Sequence, residues 1–258
     1  MFRHAFVCFL ALIMAAPVLD SFGIVSGVAI AGDSDIIVAH AGHAIRIAHA
    51  EHTKDHQSMS SKASDAGSCT NPSHCPSGVY ELDMTHSSLL FRVNHMGLTS
   101  YTARFTKFDA KLTFNAADVE ESNLTASVWL DSVKTDYPDS EKIDFDEELS
   151  VEKKWFNTRK FSQAHFVTNS LKRTSKTTGI MEGTLTFLGI SKPLEFNVIF
   201  NKGYRKMPFS DEPALGVSAT ATLNRSDWGM TAFIPYVGDN VDLILELEFH
   251  QVSSSASG

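Results

Sequence analysis

The chain has 258 residues, 43% of them hydrophobic and 20% charged, and a formal net charge of −8. That length supports one large domain or two small ones, and the composition excludes both a fully disordered chain and a polytopic membrane protein. The acidic balance leaves non-specific nucleic-acid binding without an electrostatic footing, so no nucleic-acid partner is expected. Phe outnumbers the other aromatic residues, 18 against 5 Tyr and 3 Trp. Phe brings apolar surface with no polar handle, which suits a large core or an apolar cavity.

Residues 1–31 read as an export signal peptide. Arg3 sits in a short n-region, an apolar run spans Ala5 to Leu19, and Ala29-Ile30-Ala31 matches the small-x-small cleavage pattern. Pro17 and Asp20 interrupt the run, which is short for a membrane span. An uncleaved anchor is the competing reading.

Residues 32–77 are rich in Ala, His, Ser and Asp, contain no Phe, Tyr or Trp, and hold six of the eleven His. They predict a disordered, His-rich flexible linker, because too little apolar surface is available to offset chain entropy. His49, His52 and His56 would share one face of a helix, a spacing that can hold a metal ion, with Met59 as a further soft ligand. A solvated tether explains the same composition. Cys69 and Cys75 match neither a zinc ribbon nor a C-x-x-C redox motif; in an exported chain they are candidates for a small disulfide loop.

From residue 78 to 252 the pattern changes to period two, in runs rich in Val, Phe, Thr and Leu. Leu89-Phe91-Val93, Leu124-Ala126-Val128, Leu194-Phe196-Val198-Phe200 and Val241-Leu243-Leu245-Leu247 each alternate with more polar neighbours. At least eight strands follow, with a ninth at Tyr101–Phe108. The expected fold is all-β: an antiparallel eight-stranded, lipocalin-like up-and-down barrel. Asp139–Asn157 breaks the pattern and predicts a short helical segment able to close one end. Residues 253–258 form a disordered tail.

A barrel of eight strands is either filled by side chains or holds one slender ligand. Small residues on the inward face, Gly183, Ala126, Ala219 and Ala221, favour a cavity. Alternation assigns its lining to Phe91 and Val93, Leu112 and Phe114, Val128, Phe166, Leu185 and Phe187. Phe196 and Val198, Ala219 and Ala221, and Leu243 and Leu245 complete the set.

Separated motifs in this domain resemble the YceI-like family, lipocalin-like periplasmic proteins that bind polyisoprenoids. The resemblance opens at Tyr80-Glu81-Leu82-Asp83 and His86-Ser87-Ser88, and continues through His95-Met96-Gly97 and Ser132-Val133-Lys134-Thr135. Trp155-Phe156-Asn157, Phe161-Ser162-Gln163-Ala164 and Gly183-Thr184-Leu185-Thr186 follow. Gly189-Ile190-Ser191-Lys192-Pro193, Arg225-Ser226-Asp227-Trp228-Gly229 and Val237-Gly238-Asp239-Asn240 complete it. Ala103 and Ser162 stand where the family usually has Gly and Pro. The resemblance implies a barrel around an elongated apolar pocket, with a long isoprenoid lipid such as a quinone tail or polyprenyl phosphate as its ligand. It also implies periplasmic location in a bacterium, a homodimer as one assembly state, and transient contact with a membrane surface for lipid exchange. No cofactor is required.

Asp83, His86 and His95 raise a metal or acid–base site, but a separation of nine puts the two His on opposite faces of a continuous strand. Arg225 and Asp227 are expected to pair with one another, or else to steer a ligand head group. No G-x-S-x-G, H-E-x-x-H or phosphate-loop motif occurs, so the expected role is non-catalytic. Two alternatives stay open: a metal-handling protein that works through the His-rich segment, and an enzyme acting on a lipid.

Overall fold

The computed structural model describes residues 28–31, 35–40, 43–46 and 67–252, in two units divided at Ser64–Asp65. In the first unit, β1 (Val28–Ala31), β2 (Asp35–His40) and β3 (His43–Arg46) form an antiparallel meander. Its Val and Ile content favours strand. The other residues assigned to the signal peptide, the candidate metal ligands His49, His52 and His56, and the 253–258 tail lie outside the described residues.

The second unit is a closed barrel. β5 (Gly78–Leu82) and β6 (Ser88–His95) make its first stave, and β7 (Thr99–Phe105) and β8 (Phe108–Phe114) its second. The third is β9 (Asn123–Trp129) with the short β10 (Val133–Lys134). β11 (Gln163–Arg173), β12 (Thr178–Phe187), β13 (Ile190–Tyr204), β14 (Ala214–Asn224) and β15 (Val237–Gln251) follow. The barrel closes where β15 pairs with the first stave, Phe249 opposite Leu82 and Leu243 opposite Phe91. All its pairings are antiparallel, and neighbouring staves are consecutive in sequence. The ninth strand at Tyr101–Phe108 is instead part of the second stave, interrupted at Thr106–Lys107. There the main-chain N–H of Thr106 donates to the Ser132 carbonyl (3.0 Å) and that of Lys107 to Ser132 Oγ (3.0 Å).

The helical segment is α1 (Phe145–Val151), capped by Asp144, whose carboxylate accepts from the N–H of Glu147 at 2.9 Å. Asp146, Glu147 and Glu148 occupy its first turn, where the helix dipole favours negative charge. Asp146 also accepts from the N–H (2.8 Å) and hydroxyl (2.6 Å) of Thr135, tying the helix to the barrel rim. Leu149 and the Trp155-Phe156 pair after it are buried with Leu130, Val133, Trp228 and Met230. The Phe156 ring stands 5.5 Å from Phe105, 6.4 Å from Phe91 and 6.2 Å from Phe187. This end of the barrel is solid.

The linker boundary at residue 77 needs correction, because residues 67–77 pack on the opposite end. β4 (Ser68–Cys69) pairs with Gly203–Tyr204 of β13, and Cys69 is bonded to Cys75 with their Cα atoms 5.6 Å apart. Both Cys are almost fully buried, beside Tyr80, Leu215 and Phe249. A Cβ on Gly203 would stand 2.7 Å and 2.8 Å from the two sulfurs, so glycine is what lets the bridge lie against β13. A disulfide and one strand pair here replace the missing aromatic residues as the means of ordering the segment.

Candidate binding cavity

Beneath the solid end, the barrel interior holds a cavity of about 200 Å³. Ten residues expected from alternation line it: Leu112, Phe114, Val128, Phe166, Leu185, Phe196, Val198, Ala219, Leu243 and Leu245. The other four lie elsewhere. Ala221 and Phe187 are buried in the solid end, and Phe91 packs against Phe105 and Phe156. Val93 is opposite Tyr101 and Val241, further along the same strand. The reason is axial position: these side chains belong to the part of each stave that the helical connection has filled.

The wall is almost wholly apolar. Leu89, Ala110, Leu124, Ala126, Met181 and Leu194 add to it, as do Phe200, Leu215, Val217, Leu247 and Phe249. Gly183 does not open space as expected. A Cβ there would meet the Phe166 ring at 2.1 Å, so that ring already occupies the gap, set edge-on to Phe196 at 5.1 Å between centroids. Room comes instead from Ala110, Ala126 and Ala219.

At the end away from α1, the lining ends on Pro72 of the disulfide loop, Val119 and Ser122, and the β11–β12 hairpin residues Arg173 and Lys176–Gly179. Two bulges shape it, one between Thr168 and Ser170 and one between Phe200 and Lys202. Each exchanges inward and outward positions downstream. Leu171 and Arg173 therefore take the inward parity of β11, half-buried, while Ser170 and Lys172 are exposed. Strict alternation misses both residues. Tyr80 is fully buried at this end; its hydroxyl donates to the Pro76 carbonyl (2.8 Å), and burial pushes its pKa up to about 12.

The remaining candidate groups lie off the cavity. Arg225 does not pair with Asp227, contrary to expectation. It is buried, and its guanidinium donates to the carbonyls of Met230 (2.9 Å), Ala232 (2.8 Å), Val237 (2.9 Å) and Gly238 (2.8 Å). A planar fork of donors can gather a loop in this way, whereas one carboxylate could not satisfy it. Asp227 pairs with Lys192 at 2.9 Å on the surface. His86 and His95 are not brought together: His86 lies in the turn between β5 and β6, its Nδ1 2.6 Å from Asp83 Oδ2, and His95 ends β6. Asp83 instead approaches Glu248 and His250, with one potential ligand atom from each within 4.8 Å of the others. Glu248 and His250 alternate with the cavity-lining Leu247 and Phe249, so this cluster lies on the other face of the wall. The Thr85 hydroxyl, together with His86, holds the Asp83 carboxyl down at about 2, while the bond to Asp83 raises the pKa of His86.

The barrel is similar to solved structures at low identity. BcnA of Burkholderia cenocepacia superposes with a TM-score of 0.55 at 18% identity, covering 65% of this chain and 98% of that one. The YceI protein of Campylobacter jejuni superposes at 0.53 and 22% identity, covering 62% and 90%. A UPF0312 protein of Pseudomonas fluorescens Pf-5 is 29% identical over 175 residues, 66% of this chain and 84% of the relative. One from Pseudomonas putida GB-1 is 30% identical over 158 residues, 58% of this chain and 76% of the relative. The family model for the YceI-like domain matches residues 80–249, almost the whole barrel, and the chain belongs to the YceI-like family.

Proposed function

We propose that this protein is an exported, non-catalytic carrier that holds a long isoprenoid lipid inside its barrel. The observation that carries the reading is the cavity: inside the barrel, apolar over nearly all its wall and closed by packed side chains at the helical end. Burying apolar chain contributes about 0.8 kcal/mol per methylene-sized group. Two five-carbon units then give roughly 8 kcal/mol before the cost of ordering the chain. The methyl branches of an isoprenoid suit a wall that mixes small residues, Ala110, Ala126 and Ala219, with bulky ones, Phe114, Phe196 and Phe200.

A binding role is supported by the character of the lining, whose charged residues are Asp109, Arg173 and Lys176 and which includes no His or Cys. Export to an oxidising compartment, the periplasm of a bacterium, is supported by the apolar run after Arg3 and by the Cys69–Cys75 bond. A carrier of this kind loads and unloads at a membrane surface.

Extracting the purified full-length protein with organic solvent and weighing the extract by mass spectrometry tests the reading. A species built of five-carbon units, in near-stoichiometric amount, is expected. An extract with no lipid, from protein that also fails to take up added isoprenoid, contradicts it.

A further inference from the structure

We infer that the open end of the cavity is a site for an anionic head group, phosphate or carboxylate, gripped by Arg173 and Lys176. The inference rests on the lipid reading above and concerns the end of the ligand that an apolar wall cannot recognise. Of the three charged residues in the lining, Asp109 is exposed and stands at an outward position of β8, between the buried Phe108 and Ala110. The other two are cations, three residues apart on one hairpin.

Their placement is specific. The bulge between Thr168 and Ser170 shifts the parity of β11, so that Arg173 follows Leu171 onto the cavity side. Without that one-residue irregularity Arg173 would face outward with Leu171, and Lys172 would take the inward position. The guanidinium is held at the rim by Nη1 donating to Ser73 Oγ (3.4 Å) and Nη2 donating to the Lys176 carbonyl (3.0 Å). Glu120 accepts from the main-chain N–H of Arg173 at 2.8 Å, which fixes the end of the strand and leaves other guanidinium donors for a ligand. Lys176 makes no ion pair with a described residue. The acidic turn that borders the two cations is engaged locally: Asp118 accepts from the N–H of Glu120 (3.2 Å), Glu120 from the N–H of Arg173 (2.8 Å) and Glu121 from the Asn115 side-chain amide (3.2 Å). Besides Asp109, these two cations are the charged residues of the lining. An anion seated there gains charge-assisted hydrogen bonds beside a low-dielectric wall, and a hydroxyl head group gains little.

Farnesyl monophosphate and farnesol share one tail and differ only at the head. Their affinities for the full-length protein, freed of co-purified lipid, are compared by equilibrium competition. The phosphate is expected to bind about tenfold tighter or more at low salt, with the ratio shrinking as ionic strength rises. Arg173→Gln combined with Lys176→Gln is expected to bring the ratio to within about twofold of unity. Lys176→Glu, a change on an exposed turn, should lower the ratio by itself and serves if the double variant fails to fold. Equal affinities in the wild type, with farnesol bound, overturn the head-group site and leave the lipid reading standing. Binding of neither probe overturns the lipid reading itself. A ratio unchanged in the folded variants places the anion elsewhere and also overturns the inference.

Discussion

The two ends of the barrel are built from the same staves and the same apolar alternation, yet one is solid and the other hollow. At the solid end, the connection between β10 and β11 supplies Leu149, Trp155 and Phe156, and Arg225 gathers the loop before β15 by four of its carbonyls. At the open end the disulfide loop lies against β13 and contributes Pro72 to the cavity lining, beside Val119 and Ser122 of the β8–β9 connection and the β11–β12 hairpin, and none of these lining residues inserts a bulky ring. The difference teaches that strand pattern determines which side chains face inward, while the connections decide whether the interior is filled. Pocket and core are one surface, divided by what an insertion reaches.

Truncations at the two ends should therefore differ. Phe156→Ala removes a ring packed among Phe91, Phe105 and Phe187, and is expected to destabilise by about 3–5 kcal/mol in chemical denaturation. Phe200→Ala, at the cavity wall, faces space that already exists and should lose under about 2 kcal/mol. Equal losses would erase the distinction between the ends. Next in size, Arg225→Leu leaves four carbonyls, one buried and three half-buried, without their donor and should lower stability by about 3 kcal/mol. Asp227→Ala, which breaks only the surface pair with Lys192, should change it by less than about 1 kcal/mol.

A smaller effect is expected from Cys69→Ser with Cys75→Ser. The bridge spans six residues, and its loss should lower stability by about 2 kcal/mol. Limited proteolysis should then cut within residues 67–77 while the barrel fragment survives. Cleavage inside the staves instead would make the loop part of the core rather than a cover.

The smallest concerns the Asp83–His86 pair at the break between β5 and β6. Asp83 is held at about 2 against an ordinary 3.8, so its contribution is present above about pH 4 and is lost as pH falls towards 2. The pKa of His86 is raised, so its share is present below its ordinary 6.5 and is lost as pH rises through the folded value. The stability difference between wild type and Asp83→Asn should thus be greatest between about pH 4 and 6.5 and shrink on both sides. A difference that keeps growing above pH 8 would show that the pair is not its source.

Much of this was legible in the residues. Period-two runs predict eight antiparallel staves and assign Leu112, Val128, Phe196, Ala219 and Leu245 to the inward face, where the structure has them. Periodicity carries no information about position along the barrel axis, which is why Phe187 and Ala221 belong to the core although their parity is right. Nor does it reveal bulges: under strict alternation Leu171 and Arg173 continue the outward parity of His165 and Val167. The Arg225 network was hidden for another reason. Its acceptors are main-chain carbonyls, which any residue supplies, while the nearby Asp227 offered a more obvious partner. The Cys pair was visible as a disulfide candidate, but its seat on Gly203 joins positions too far apart in sequence for spacing to suggest it.

The central claim is that the hollow half of the barrel is the lipid site, and Ala219→Trp tests it most directly. Ala219 lines the cavity and is buried, so an indole there must occupy the space a ligand would use. Overpacking of this kind costs about 1–3 kcal/mol, which a barrel of this size can absorb while folded. Wild type and variant are purified side by side, compared by circular dichroism, and extracted for quantitative mass spectrometry. The account expects an unchanged spectrum and loss of the isoprenoid from the variant. A folded Ala219→Trp protein that still carries the full wild-type load of lipid would contradict it.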